Sequence, residues 1–434
     1  FRSSHGDMAL AYCLYHIENN DTANLTNYGE YLEMNPPKHE VKIVEESSWS
    51  CAHGVERWRS DCGCKMRGDW HQKWRKPLRQ SLDWLRAELI DIYDQEAVKY
   101  LSEPWKARDE YIGTVLMRTE ENLEKFIKEN SREELSLDEK EHTLHLLEMQ
   151  RHAMLMYTSC GWFFDEISGI ETTQVIQYAS RAIQLTERIT GKQLETEFIQ
   201  RLGNAPSNIE DIGDGGEVYT RYIKPSKLDL LRVGAHYAIS SLFEDYPEET
   251  DIYCYRAGSE FSDNIVSGKL QMHIGRVRVQ SNITWNQSLI SFAVLYLGDH
   301  IINAGVKEHD EEINFEKMHT EIKDAFRRSD ISEVFNLMDE HFGTHEFTLW
   351  HLFKDEQREV FEQIMESSLE RIEVNFRQIY EDEYPLMQAM REMDIPLPQP
   401  MTTSIEYVFK HDYENLLKKE TIDFDRLENV IQDF

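Results

Sequence analysis

From Pro77 to Leu202 apolar residues recur at the three-and-four spacing of an α-helix with few interruptions, and this run constrains the chain more than any other feature. The stretch "PLRQSLDWLRAELIDIYDQEAVKYL" opens with Pro77 near a first helical turn, where a missing N–H is harmless. It sets Leu78, Leu82, Leu85, Leu89 and Tyr93 on one face. Further helices are predicted over 103–130, 137–157, 171–190, 192–202 and 228–243, and "GNAPSNIEDIGDGG", residues 203–216, reads as a linker. The texture then changes. "DIYCYRAG", "KLQMHIGRVRVQSNITW" and "SLISFAVLYLG" read as strands. In the second, Leu270, Met272 and Ile274 alternate, and the phase slips at Gly275 to Val277 and Val279, which predicts a bulge at the glycine. A small antiparallel sheet is expected over 251–298, with helices returning from Phe315 to the end, broken by "DIPLPQP". Ahead of the helical run, "GDMALAYCLYHIENN" reads as a helix and "HEVKIVEESSW" starts as a short strand, the order of an α/β unit's tail. The expected class is mainly α with a small antiparallel sheet (α+β).

Composition narrows the partners. A formal net charge of −33 repels phosphate backbones, which argues against nucleic acid. No apolar run has the length of a membrane span. Six cysteines in 434 residues make no disulfide scaffold, and a reducing, cytoplasmic setting is the default expectation.

Chemistry concentrates in "EESSWSCAHGVERWRSDCGC", Glu45 to Cys64. Cys51, His53, Cys62 and Cys64 are ligand types that close a zinc tetrahedron, although one intervening residue in Cys-x-His and Cys-x-Cys is shorter than the usual two to four. The other readings are a disulfide, or cysteines acting as small buried apolar groups under a loop. The same stretch also suits a sugar-binding wall. Trp49 and Trp58 offer aromatic faces for C–H surfaces, with Ser48, His53 and Arg57 for hydroxyls. A second constellation, "SCGWFFDEISGIET", places Trp162 and two phenylalanines directly before Asp165 and Glu166, which fits either sugar contacts and proton transfer or a plain helix-connecting turn. "HEFTLWH" spaces its histidines too widely for a helical zinc protease motif, and no phosphate loop, nucleophile elbow or dinucleotide fingerprint is present.

"GDMALAY", "GEYLEMNPP", "ESSWSCAHGVERWRSDCGC" and "GWFFDEISGIET" together resemble glycoside hydrolase family 57, in the bacterial subgroup with an appended C-terminal domain of unknown function. "RVGAHYAISSLF", "GRVRVQSNIT", "LGDHIINAG" and "LFKDEQREVF" are similar to that appended domain. The resemblance covers the whole chain and rests on the order of these motifs. It implies an incomplete (β/α)7 barrel followed by a helical domain over the barrel mouth. It also implies retaining hydrolysis or transfer of α-glucan through a Glu nucleophile and an Asp acid/base. Within that scheme Ser48 and Trp49 belong to a substrate loop, Trp162 to the helical wall of the cleft, and "GEYL" points to Glu30 and Tyr31 as substrate contacts.

The family's Asp-Gly-Glu acid/base segment lies ahead of the stretch matching Gly6–Tyr12, and its nucleophile lies further upstream. The chain, beginning at Phe1, is therefore expected to be the C-terminal part of such an enzyme, inactive alone. Residues 1–75 would form the barrel tail, 76–215 the helical domain and 216–434 the appended domain. The implied partners are an oligo- or polysaccharide and the upstream barrel, with no cofactor beyond the alternative zinc. The other class of reading is a non-catalytic carbohydrate-binding or interaction module.

Overall fold

The computed structural model describes residues 6–20, 23–298, 300–309, 314–343 and 346–417. Two helices open it, α1 (Gly6–Asn19) and α2 (Tyr28–Met34), and neither finds a core. Met8, Tyr12, Tyr15, Tyr28 and Met34 all stand exposed. The strand expected from His39 is absent. Val41, Ile43 and Val44 are exposed in irregular chain, because alternation alone gives a strand no partner for its N–H and C=O groups.

Helix α3 (Arg75–Glu96) buries its predicted stripe completely: Leu78, Leu82, Leu85, Leu89 and Tyr93 are each 0% exposed. Such side chains gain roughly 1.5–3 kcal/mol apiece on burial. The helix expected over 103–130 divides into α4 (Pro104–Glu110), α5 (Ile112–Leu116) and α6 (Glu120–Asn130). The restart is made by Thr119, whose side chain caps α6 by accepting from the Asn122 N–H. Ser136 and Glu139 form a capping box for α7 (Leu137–Leu155), and Gly191, at a φ of 69°, ends α8 (Ile170–Thr190) in the left-handed region. α9 (Glu195–Leu202) follows.

The segment 203–216 is not a free linker. Ala205, Ile212, Gly215 and Gly216 are buried, the Gly215 N–H donates to the Ala205 carbonyl at 2.9 Å, and Asp214 caps α10 (Gly215–Val218). The helical core continues to Ile223 and a second core begins at Leu230, so the seam between the two falls there.

Beyond α11 (Leu230–Ser240) lies one antiparallel meander of six strands in chain order: β1 (Glu249–Ile252), β2 (Tyr255–Ser267), β3 (Leu270–Ser281), β4 (Gln287–Tyr296), β5 (Ile302–Glu308) and β6 (Glu346–Phe347). It runs two strands past the expected limit of 298. The bulge is also elsewhere. β3 keeps unbroken register with β4, while in β2 Ser259 pairs with Val277 and Phe261 with Arg276, leaving Glu260 extra. The phase slip in β3 instead marks a change of covered face. Val277 and Val279 pack towards α11, whereas Met272 and Ile274 pack on the opposite face against α12 (Phe315–Arg327) and α13 (Ile331–Phe342). Gly275 lies directly across from Phe292, where a Cβ would come within 2.5 Å of the ring. A helical hairpin follows, α14 (Lys354–Glu392) and α15 (Gln399–Leu417); residues 418–434 of the expected terminal helix lie outside the described residues.

Among the described residues three histidines are buried: His145 in α7, His236 in α11 and His273 in β3. The His273 ring nitrogens meet the Ser241 and Ser262 hydroxyls, each at 2.9 Å, which ties the end of α11 to β2. Burial depresses all three imidazoles to about 4. They are held neutral when folded, whereas the unfolded chain takes up protons below a pKa of about 6.5. Their stabilising effect is therefore complete above that value and is lost as pH falls towards 4. Urea denaturation at stepped pH should show stability dropping through this window by up to about 3 kcal/mol per imidazole. His273→Asn should remove part of the slope.

Candidate metal centre and aromatic face

Between Glu45 and Arg75 the chain forms a strap with one 3-10 turn, Glu56–Trp58, and it lies across the loop that joins α7 to α8. Asp165, at 5% exposure, receives most of it. One carboxylate oxygen accepts from the Met66 and Arg67 N–H groups at 2.6 and 2.9 Å, and the other from the Gln72 amide at 2.8 Å. The Asp165 carbonyl accepts from the Trp74 indole at 2.9 Å and the Asn208 amide at 2.8 Å. Glu166 does the same for the following loop, accepting from the Ser207 hydroxyl at 2.6 Å and the Asn208 N–H at 2.8 Å. Both carboxylates, expected as substrate contacts, thus face inward and are engaged by the protein itself. A buried carboxylate needs donors in place of water, and the strap supplies them to Asp165 while residues 207–208 supply them to Glu166.

The next anchors are cationic or aromatic. Arg57, at 8% exposure, donates to the Phe163 carbonyl at 3.1 Å and the Ser50 carbonyl at 3.2 Å, with its guanidinium 5.0 Å from the Phe163 ring centroid. The Trp58 indole donates to the Ser159 carbonyl at 2.9 Å, and its ring packs on the helical core. Arg75 is fully buried and donates to the Phe164 carbonyl at 3.2 Å and to Cys62 Sγ at 3.6 Å.

Within the strap the four expected ligand types converge. Nδ1 of His53 lies 3.8 Å from Cys51 Sγ and 3.5 Å from Cys64 Sγ, the Cys51 and Cys64 sulfurs are 4.0 Å apart, and all four ligand atoms, Cys62 included, lie within 4.8 Å of one another. Two left-handed glycines shape the cluster, one inside the Cys62–Cys64 interval and one directly after His53. Gly63, at a φ of 77°, turns the chain between Cys62 and Cys64. Gly54, at 67°, turns it after His53, where a Cβ would stand 2.5 Å from the Glu46 carbonyl oxygen. Burial pushes the Cys51 thiol up, but hydrogen bonds from the His53 backbone and ring and from the two other cysteines outweigh it and hold it down at about 6.

The aromatic residues separate into two groups. Trp49 is 94% exposed, and its ring lies 6.3 Å from that of Phe163, which meets Phe164 edge-on at 5.4 Å. These three make a face at the edge of the strap, with Ser48 half-buried and His53 exposed beside it. Trp162, expected on a cleft wall, is a core side chain at 1% exposure. Glu30 and Tyr31 stand exposed on α2, where the Glu30 carboxylate accepts only from Thr26 among the described hydrogen bonds.

One site escaped the sequence reading. A cavity of about 340 Å³ opens between α7, α8 and the sheet, and Glu148, Arg151, His152, Tyr178 and Arg181 contribute to its lining. Buried Glu148 accepts from Tyr111 at 2.8 Å and Arg151 at 3.2 Å and pairs with Arg118. Burial alone would raise its pKa, and Arg118 more than reverses this. The available signal was a glutamate set among the apolar positions of "HTLHLLEMQRH".

Asp165→Ala leaves two backbone donors and the Gln72 amide without their acceptor. It should cost about 2–4 kcal/mol in denaturant unfolding, with Asp165→Asn milder. Hydrogen exchange should lose protection over 65–75 while α7 and α8 keep theirs.

No curated protein and no solved structure matches this chain. A family model does match, over residues 70–353, from the last residues of the strap through the sheet to the residue preceding α14. Asp165 and the cavity fall inside that span, and the Cys/His cluster falls before it. The match covers well over half of the 434 residues, and the chain belongs to the family described as a domain of unknown function, DUF3536.

Proposed function

We propose that this chain is the C-terminal portion of a carbohydrate-active enzyme, a retaining glycoside hydrolase or glucanotransferase acting on α-glucan, and that it supplies substrate-facing side chains rather than the principal catalytic carboxylates. The reading is supported first by the motif resemblance to glycoside hydrolase family 57, enzymes that this domain of unknown function accompanies. The observation that carries it is the aromatic face. A tryptophan at 94% exposure is costly to leave in water. The strap beneath it is fixed by Arg57 and the Asp165 donors, which suits a stacking platform for a flat apolar surface such as a glucose ring. The exposed apolar side chains of α1, α2 and 41–44 fit a segment whose packing partner is a barrel.

A second reading has one observation in its favour. The two carboxylates adjoining the aromatic face are both occupied internally, as befits a non-catalytic carbohydrate-binding module. Assays on maltooligosaccharides separate the two. Turnover is expected from a protein extended at its N-terminus by the barrel and not from this chain alone; equal turnover by both would refute the enzyme-fragment reading. Trp49→Ala should weaken oligosaccharide binding roughly ten-fold, about 1.4 kcal/mol, with an unchanged melting temperature because the ring is exposed.

A further inference from the structure

We propose that Cys51, His53, Cys62 and Cys64 bind one zinc ion in a closed tetrahedral site that locks the strap carrying Trp49. Zinc bonds of about 2.3 Å to sulfur and 2.0–2.1 Å to nitrogen give a tetrahedron with S···S edges of about 3.8 Å and S···N edges of about 3.6 Å. The corresponding separations here are 4.0 Å between the Cys51 and Cys64 sulfurs, and 3.8 and 3.5 Å from those sulfurs to His53 Nδ1. A disulfide needs about 2.05 Å between sulfurs and has no use for the imidazole. Cysteines acting as small apolar fillers have no reason to converge with a nitrogen of an exposed histidine.

The surroundings fit the charge of such a site. Three thiolates and a neutral imidazole on a divalent ion leave one net negative charge, and fully buried Arg75 donates to Cys62 Sγ with one positive charge. The donor set disfavours magnesium and calcium, which take oxygen ligands, and three sulfurs with one nitrogen are a structural zinc set. Four protein ligands leave no open position, so the ion is structural. On binding, the thiol protons pass to solvent as the metal–sulfur bonds form, and no redox step is involved. The ion joins the two arms of the strap on either side of the 3-10 turn Glu56–Trp58. Through Arg75 it connects them to the start of α3. None of this depends on the carbohydrate reading.

The test is metal analysis of the chain purified under reducing conditions, before and after zinc loading. About one zinc per chain is expected, lost in Cys62→Ser and Cys64→Ser and retained in Cys160→Ser and Cys254→Ser. Cobalt-loaded protein should show thiolate-to-cobalt charge-transfer absorption. Chelation should speed amide exchange over 46–64 while α7 and α8 stay protected. The proposal is overturned by zinc well below one per chain even after loading, by unchanged zinc in Cys62→Ser and Cys64→Ser, or by a Cys51–Cys64 disulfide in the native protein. Should both serine variants fail to fold, the cobalt spectrum of the unsubstituted chain decides: without the charge-transfer band, the proposal falls.

Discussion

The buried carboxylate of Asp165 is the constraint on which the arrangement of the candidate site depends. A carboxylate at 5% exposure needs donors in place of the water it has lost, and its three donors, the Met66 and Arg67 N–H groups and the Gln72 amide, all come from the strap. Hydrogen bonding therefore recruits a segment whose regular structure is a single 3-10 turn. Arg57 and Trp58 then use the backbone carbonyls of the same α7–α8 connection. The strap thus stays ordered through hydrogen bonds to the Asp165 carboxylate and to the backbone of this connection, together with the burial of Trp74 and the packing of Trp58 on the helical core.

The helical part was the most legible in the sequence. Leu78 to Tyr93 repeat with a period that only one burial geometry satisfies, and they are buried accordingly. Boundaries set by one hydroxyl were missed: Thr119 restarts a helix where apolar periodicity simply ran on. The sheet was legible as strands, but its limits and its bulge were not. Burial on both faces replaces clean alternation with near-continuous apolar character, and register belongs to pairs of strands rather than to either alone. The expected strand before Trp49 failed for the same reason, since a strand is a property of a ladder.

The site divides in the same way. The convergence of Cys51, His53, Cys62 and Cys64 was visible as composition, and the spacing argument against it overlooked what left-handed glycines do. Gly63 turns the chain within the Cys62–Cys64 interval and Gly54 turns it just after His53, and only backbone torsions reveal that. Trp49 and Phe163 were each singled out in separate motifs, but their meeting depends on Arg57. The inward turn of Asp165 and Glu166 could not be read from two adjacent acids, because an exposed pair and a buried pair are spelled alike. The cavity beside α7 was hidden because Glu148 lies in a stretch buried without a break from Thr143 to Gln150, where polar and apolar residues alternate with no telling pattern.

The contact between Met66 and Asp165 spans 99 positions of sequence. A chain made from its N-terminus therefore releases the strap well before its acceptor exists. The strap's ordering must follow that of α3, α7 and α8, the elements that receive it. Until then three thiols and four tryptophans, Trp49, Trp58, Trp70 and Trp74, are without their folded-state partners. A cation held by the four converging side chains would give the emerging segment a local fold of its own, ahead of the helices that later receive it.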